Sequence, residues 1–129
     1  MKYQTLWNMT LDQGGATIRI ADYPDAIIIP KVGYAVANGS QGIQLLVPRP
    51  EFRNDPDFTE AFDNVVDKAL VYFPKIGAKF LGTWIDDHKM FIEPVRVIKT
   101  KDYATGLADG LGEKAVYDLA AGKSIFLKT

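Results

Sequence analysis

From Phe58 to Phe73, apolar residues recur at steps of three and four: Phe58, Ala61, Phe62, Val65, Val66, Ala69, Leu70 and Phe73. That is the period of an amphipathic helix with one side turned to a core. The spacing predicts a helix over about 56–73. Asp55 ahead of Pro56 supplies a side-chain cap followed by proline at the first helical position, and Asp57 with Glu60 offers an alternative capping box. Pro74 and Gly77 mark the exit.

Elsewhere the pattern is mostly that of strands. "AKFLGTW" and "MFIEPVRVI" are rich in β-forming residues on either side of the polar stretch 86–89, which predicts a hairpin of Lys79–Ile85 with Met90–Ile98. Pro94 cannot donate to a ladder, so the second arm should be kinked, bulged or at an edge there. Tyr34–Ala37 and Ile43–Val47 flank "NGSQG", residues that tolerate turn backbone, and read as another hairpin. Thr17–Ile20 is a short β-type run after a Gly14-Gly15 turn. "DYPD" at 22–25 is a turn, and Ala26–Ile29 before Pro30 is extended. Thr100 precedes a second, shorter helix over about 101–111, whose inner side is Ala104, Leu107, Ala108 and Leu111. Gly106 and Gly110 each weaken it by roughly 1 kcal/mol relative to Ala. "AVYDL" and "SIFL" close the chain as two short strands around "AAGK". Residues 1–13 fit either a first strand or an arm packed on the body.

Helices do not alternate regularly with strands in this order. That predicts an α+β fold with a mainly antiparallel sheet, as a single domain over 1–129. The length of 129 residues and 47% hydrophobic content suffice for a core without staples. A formal net charge of −1 gives no field that would draw the chain to nucleic acid or a membrane. Cysteine is absent, which excludes disulfides, thiolate metal sites and cysteine nucleophiles. No apolar run is long enough to cross a membrane, and the first residues lack the pattern of a signal peptide. The expectation is a soluble protein of the cytoplasm, without a cofactor or bound metal.

Candidate chemistry is sparse. His88, the single histidine, follows Asp86 and Asp87. Histidine is the usual general base near neutral pH and carboxylates can orient it. Three neighbours at a hairpin tip, however, splay into solvent, and a transition metal would need ligands from elsewhere. "NGSQG" could cradle phosphate through its N–H groups, but it leads into the apolar run "IQLLV" and holds no basic residue. "GLADGLG" at 106–112 has the look of a nucleotide fingerprint without the strand-to-helix setting it requires; its glycines could instead admit a close backbone approach. The only serines, Ser40 and Ser124, lie in no nucleophile motif. Asp57, Glu60, Asp63 and Asp67 line the polar side of the long helix, either as a solvated face or as a docking surface for a basic partner.

One combination of residues is more specific. Gly14-Gly15-Ala16-Thr17, Gly33-Tyr34-Ala35-Val36, Leu81-Gly82-Thr83-Trp84 and Ala115-Val116-Tyr117-Asp118-Leu119 occur in this order around the two helices. Together they resemble a group of small uncharacterised proteins encoded by bacteriophages, plasmids and integrated mobile elements. Glu113-Lys114 departs from the amide side chains of that pattern. The resemblance implies an accessory protein of a mobile element, in the host cell cytoplasm if phage-encoded, and carries over no activity. The leading expectation is a non-enzymatic protein that binds a protein partner, self-association included, with Asp63, Asp67, Asp86, Asp87 and His88 as the surface. The alternative is a small enzyme or small-molecule binder using His88 with Asp86 or Asp87, with Trp84 or Tyr117 as a pocket wall. A third is a weak nucleic-acid binder through Lys79, Arg96, Lys99 and Lys101 in the more basic C-terminal half. Trp84 itself is expected in the core.

Overall fold

The long helix sets the frame. In a computed structural model that describes residues 1–127, it is α2 (Pro56–Lys75), and its buried residues Phe62, Val66, Ala69 and Phe73 keep the expected spacing. The Asp55 carboxylate accepts the Asp57 N–H at 2.9 Å, so the predicted cap forms with Pro56 at the first position. The helix runs two residues past Phe73, because Pro74 is tolerated in its last turn, where main-chain bonds from Ile76 and Ala78 to the Phe73 carbonyl close the end.

Among the described residues, three α-helices and seven strands make an α+β fold with a wholly antiparallel sheet. The remaining elements are α1 (Gln4–Gln13), β1 (Gly15–Arg19), β2 (Tyr34–Ala37), β3 (Ile43–Leu46), β4 (Phe80–Asp86), β5 (Lys89–Ile98), α3 (Lys101–Gly110), β6 (Ala115–Asp118) and β7 (Lys123–Phe126). The strand order is β1-β4-β5-β2-β6-β7, with β3 also on β5. Among the described residues no helix is long and apolar enough to cross a membrane. The last two residues of the expected domain lie outside the described ones.

Residues 1–13 are neither a strand nor an arm. They form α1, which buries Leu6, Trp7 and Thr10 and ends at Gly14 in a left-handed conformation, φ 85°. No side chain of its own caps its start. Instead Asp63 of α2 accepts the N–H groups of Lys2 and Tyr3, at 2.9 and 3.2 Å. On the inner side, the Thr10 hydroxyl meets Leu6 O at 2.8 Å and the Thr83 hydroxyl at 2.6 Å. The residues that made this segment ambiguous are therefore satisfied by contacts from α2 and β4.

The expected hairpin at 34–47 does not form. β2 and β3 do not pair with each other. Both pair with β5, β2 along Val95–Ile98 and β3 along Lys89–Ile92, so they lie in line as one interrupted strand. The break, residues 38–42, faces Glu93 and Pro94. Asn38 N donates to Pro94 O at 3.0 Å. In an antiparallel strand a residue's N–H and C=O point to the same side. The donor that Pro94 lacks would thus face the break, where no strand needs it. Pro94 is accommodated in the middle of the sheet because the neighbouring segment leaves the ladder there; β5 itself keeps unbroken register with β4 through Leu81 and Pro94, so it is neither bulged nor at an edge as expected.

The terminal strands β6 and β7 pair as a hairpin, as expected. Ala26–Ile29 is extended but belongs to no strand, although Arg19 N reaches Ile28 O at 2.9 Å. α1 and α2 pack on Ile18, Leu81, Met90 and Ile92 in one cluster. α3 packs through Ala104 and Ala108 on Val36 and Val116 in another. Tyr34 and Val36 stand opposite Ile98 and Arg96, which alternate in step with Met90 and Ile92. All three α-helices therefore lie on one face, and among the described residues the other face carries no α-helix, only the 3-10 turn Gly39–Gln41 beside Glu93.

Candidate functional site on the helix-free face

The tip read as candidate chemistry is a two-residue turn. Asp87 (φ 48°) and His88 (φ 63°) are both left-handed between the paired residues Asp86 and Lys89. Positive φ at both central residues gives a turn whose twist suits a hairpin. Asp86, Asp87 and His88 are all exposed, and the tip is tied down through the main chain, Val47 N donating to His88 O at 3.0 Å. No group of three His, Asp or Glu side chains able to hold a metal occurs among the described residues.

Asp63 and Asp67 are committed within the fold. Besides the two main-chain bonds to Asp63, Asp67 accepts the Lys2 ammonium at 2.9 Å and the Tyr3 hydroxyl. The Tyr3 hydroxyl and then the Lys2 charge hold the Asp67 carboxyl below its ordinary value. Burial first, and then that same hydrogen bond, raise the Tyr3 phenol. Of the four basic candidates, Arg96 donates to Ile76 O at 2.9 Å and so closes the end of α2, while Lys79, Lys99 and Lys101 are exposed. Gly106 and Gly110 sit inside α3, and a Cβ at either would meet nothing within 4 Å, so they mark no close approach.

Two shallow hollows lie on outer helix surfaces. One, of about 460 Å3, is beside Asp67, Tyr72 and Lys75; the other, of about 360 Å3, is beside Asp102, Gly106 and Asp109. Neither is lined by the residues of the tip.

The helix-free face holds a different constellation. Gly82, Trp84, Phe91 and Glu93 point to it, alternating with the core residues Leu81, Thr83, Met90 and Ile92. Trp84 is 46% exposed, so it is not a core residue as expected. The alternation of β4 is right, but the face that Trp84 occupies has no layer above it. Its ring stacks on Phe91, centroids 5.1 Å apart at 27°, and its indole N–H donates to Glu93 Oε1 at 2.7 Å. Gly82 is bare because a Cβ there would lie 2.6 Å from a Val95 methyl.

Glu93 is only 5% exposed. The loop 38–42 lies against it: a Cβ at Gly42 would be 2.8 Å from Glu93 Cγ, and one at Gly39 would be 2.9 Å from Glu93 Oε2. Gly39 N donates to Glu113 Oε2 at 3.3 Å, which brings a second carboxylate to the same spot. Burial pushes the Glu93 carboxyl up; the Trp84 N–H opposes that shift and the neighbouring Glu113 charge adds to it. Sequence reasoning passed over Glu93 and Glu113. The available signal was a lone carboxylate inside the β-type run "MFIEPVRVI", directly before a proline.

Tyr117 is 42% exposed on the same face but does not share a wall with Trp84. Trp84 is opposite Phe91, and Tyr117 is opposite Ala35, itself opposite Val97. The two are thus about 20 Å apart along the strand direction. Compared with known protein families, with curated proteins and with solved structures, the chain matches none.

Proposed function

We propose that this chain is a non-enzymatic binding protein that docks a protein partner on the helix-free face of its sheet. The observation that carries this reading is that the face exposes large apolar side chains with no layer over them: Trp84 (46%), Leu46 (70%), Tyr117 and Phe126 (77%). Large apolar side chains left uncovered on a sheet face suit a partner that spans it, since Trp84 and Tyr117 stand about 20 Å apart there. The polar groups first considered are otherwise engaged or stand alone: Asp63 and Asp67 hold α1 in place, and His88 stands exposed on a two-residue turn. The resemblance to small proteins of bacteriophages and other mobile elements supports an accessory role of this kind, in the host cytoplasm.

The test is site-directed photocross-linking in host cells. A photoreactive phenylalanine placed at Leu46 or at Phe126 should give a discrete cross-linked product, and one placed at Val71, on the outer side of α2, should not. Equal products from all three positions, or none from the first two, would overturn the proposal. A product of twice the chain's mass would identify the partner as a second copy.

A further inference from the structure

We infer that the helix-free face receives an arginine side chain of a basic partner segment, stacked on the Trp84 ring beside the carboxylates of Glu93 and Glu113. The inference rests on the docking face proposed above and adds the chemistry of its occupant. Glu93 carries it. A carboxylate taken out of water in mid-sheet is tolerated where something meets its charge. Here Oε1 accepts one neutral donor, the Trp84 indole; among the described residues no hydrogen bond reaches Oε2, which stays open to solvent because no buried side-chain oxygen lacks a partner, and no ion pair reaches either glutamate. The point that a Cβ on Gly39 would occupy lies within 3.3 Å of an oxygen of each carboxylate. The Gly39 backbone fills the gap between them, so a guanidinium meets the two carboxylates from the solvent side.

The third side is aromatic. Phe91 backs the Trp84 ring, and the ring is nearly half exposed. A guanidinium is planar, stacks on indole and offers donors in a fork that can meet two carboxylates at once. A second copy of this chain is a poor occupant. A two-fold pairing centred here would set Glu93 against its own equivalent. Three of the chain's four arginines are already used, Arg19 by Asp22, Arg53 by Asp12 and Arg96 by the Ile76 carbonyl. We take the occupant to be a different protein that presents arginine; a cross-linked product of twice the chain's mass would point instead to Arg49 of a second copy.

The experiment is a titration of 15N-labelled protein with a capped tri-arginine peptide, read at the two indole N–H groups and the Gly39 amide by NMR. The Trp84 and Gly39 resonances should shift saturably while Trp7, in the core, stays fixed. The citrulline tripeptide should bind at least about tenfold more weakly, since it lacks the charge. Glu93→Gln keeps the shape and should abolish the response; Glu113→Gln, at the rim, should weaken it and serves if the first variant folds poorly. An equal response to citrulline, an unchanged response in both variants, or no response at millimolar peptide would overturn the arginine seat. If the peptide fails while cross-links from position 46 persist, the docking face stands and only the seat falls. If the peptide binds and those cross-links are missing, the protein-docking reading falls instead.

Discussion

Asp67 and Glu93 are both carboxylates with altered proton affinity, and their shifts have opposite signs. Asp67 is stabilised as the anion by the Tyr3 hydroxyl and the Lys2 ammonium, so its folded value lies below the unfolded one. It contributes stability above about pH 3.9 that is lost as pH falls through its lower folded value. Glu93 is raised, chiefly by burial. The folded protein holds that proton more tightly, so stability is lost as pH rises above about 4.3 towards the folded value. Glu93→Gln should therefore raise the melting temperature at pH 7, by about 3 °C for each ~1 kcal/mol gained, with no gain at pH 4. Thermal melts at the two pH values check this, and a lower melting point at pH 7 would show that the charge is compensated. Asp63→Ala removes the acceptor of two N–H groups at the start of α1 and should cost about 1 kcal/mol in urea unfolding. None of these roles was legible beforehand. Asp63 and Asp67 read as part of an acidic stripe, either solvated or docking a partner, because the groups they hold lie 60 or more positions away.

At the scale of elements, legibility followed locality. α2, α3 and the hairpins β4–β5 and β6–β7 are contained in their own periodicity, caps and turns, and they stand close to where the pattern put them. α1 was not legible because its cap comes from α2 and its buried hydroxyl is answered by Thr83 of β4. "NGSQG" has good hairpin chemistry but serves as an insertion between two collinear strands, since β5, not β2 or β3, supplies the pairing partner. The packing at Gly82 gives a test at this scale. Gly82→Ala should destabilise by about 1–3 kcal/mol through the clash with the Val95 methyl. Val95→Ala in the same chain should recover part of that loss, and purely additive effects in a double-mutant cycle would refute the contact.

At the scale of the molecule, the decisive feature is that α1, α2 and α3 all pack on one side of the sheet. The two tryptophans report the two sides. Trp7 is 1% exposed beneath α2 and Trp84 is 46% exposed on the open face. A Trp7→Phe variant should therefore emit at longer wavelength and be quenched readily by iodide, and a Trp84→Phe variant should resist the quencher. Similar quenching of the two would mean that the open face is covered in solution. By itself the sequence determined the α+β class, the two later helices, the Asp55 cap and the two hairpins, because those depend on residues a few positions apart. Only the tertiary structure decided which face of each strand is covered, that β2 and β3 share β5, and that Glu93, Glu113 and Trp84 meet. The physical reason is that alternation sorts side chains into two sets, while the distant elements that pack on each set determine which is buried.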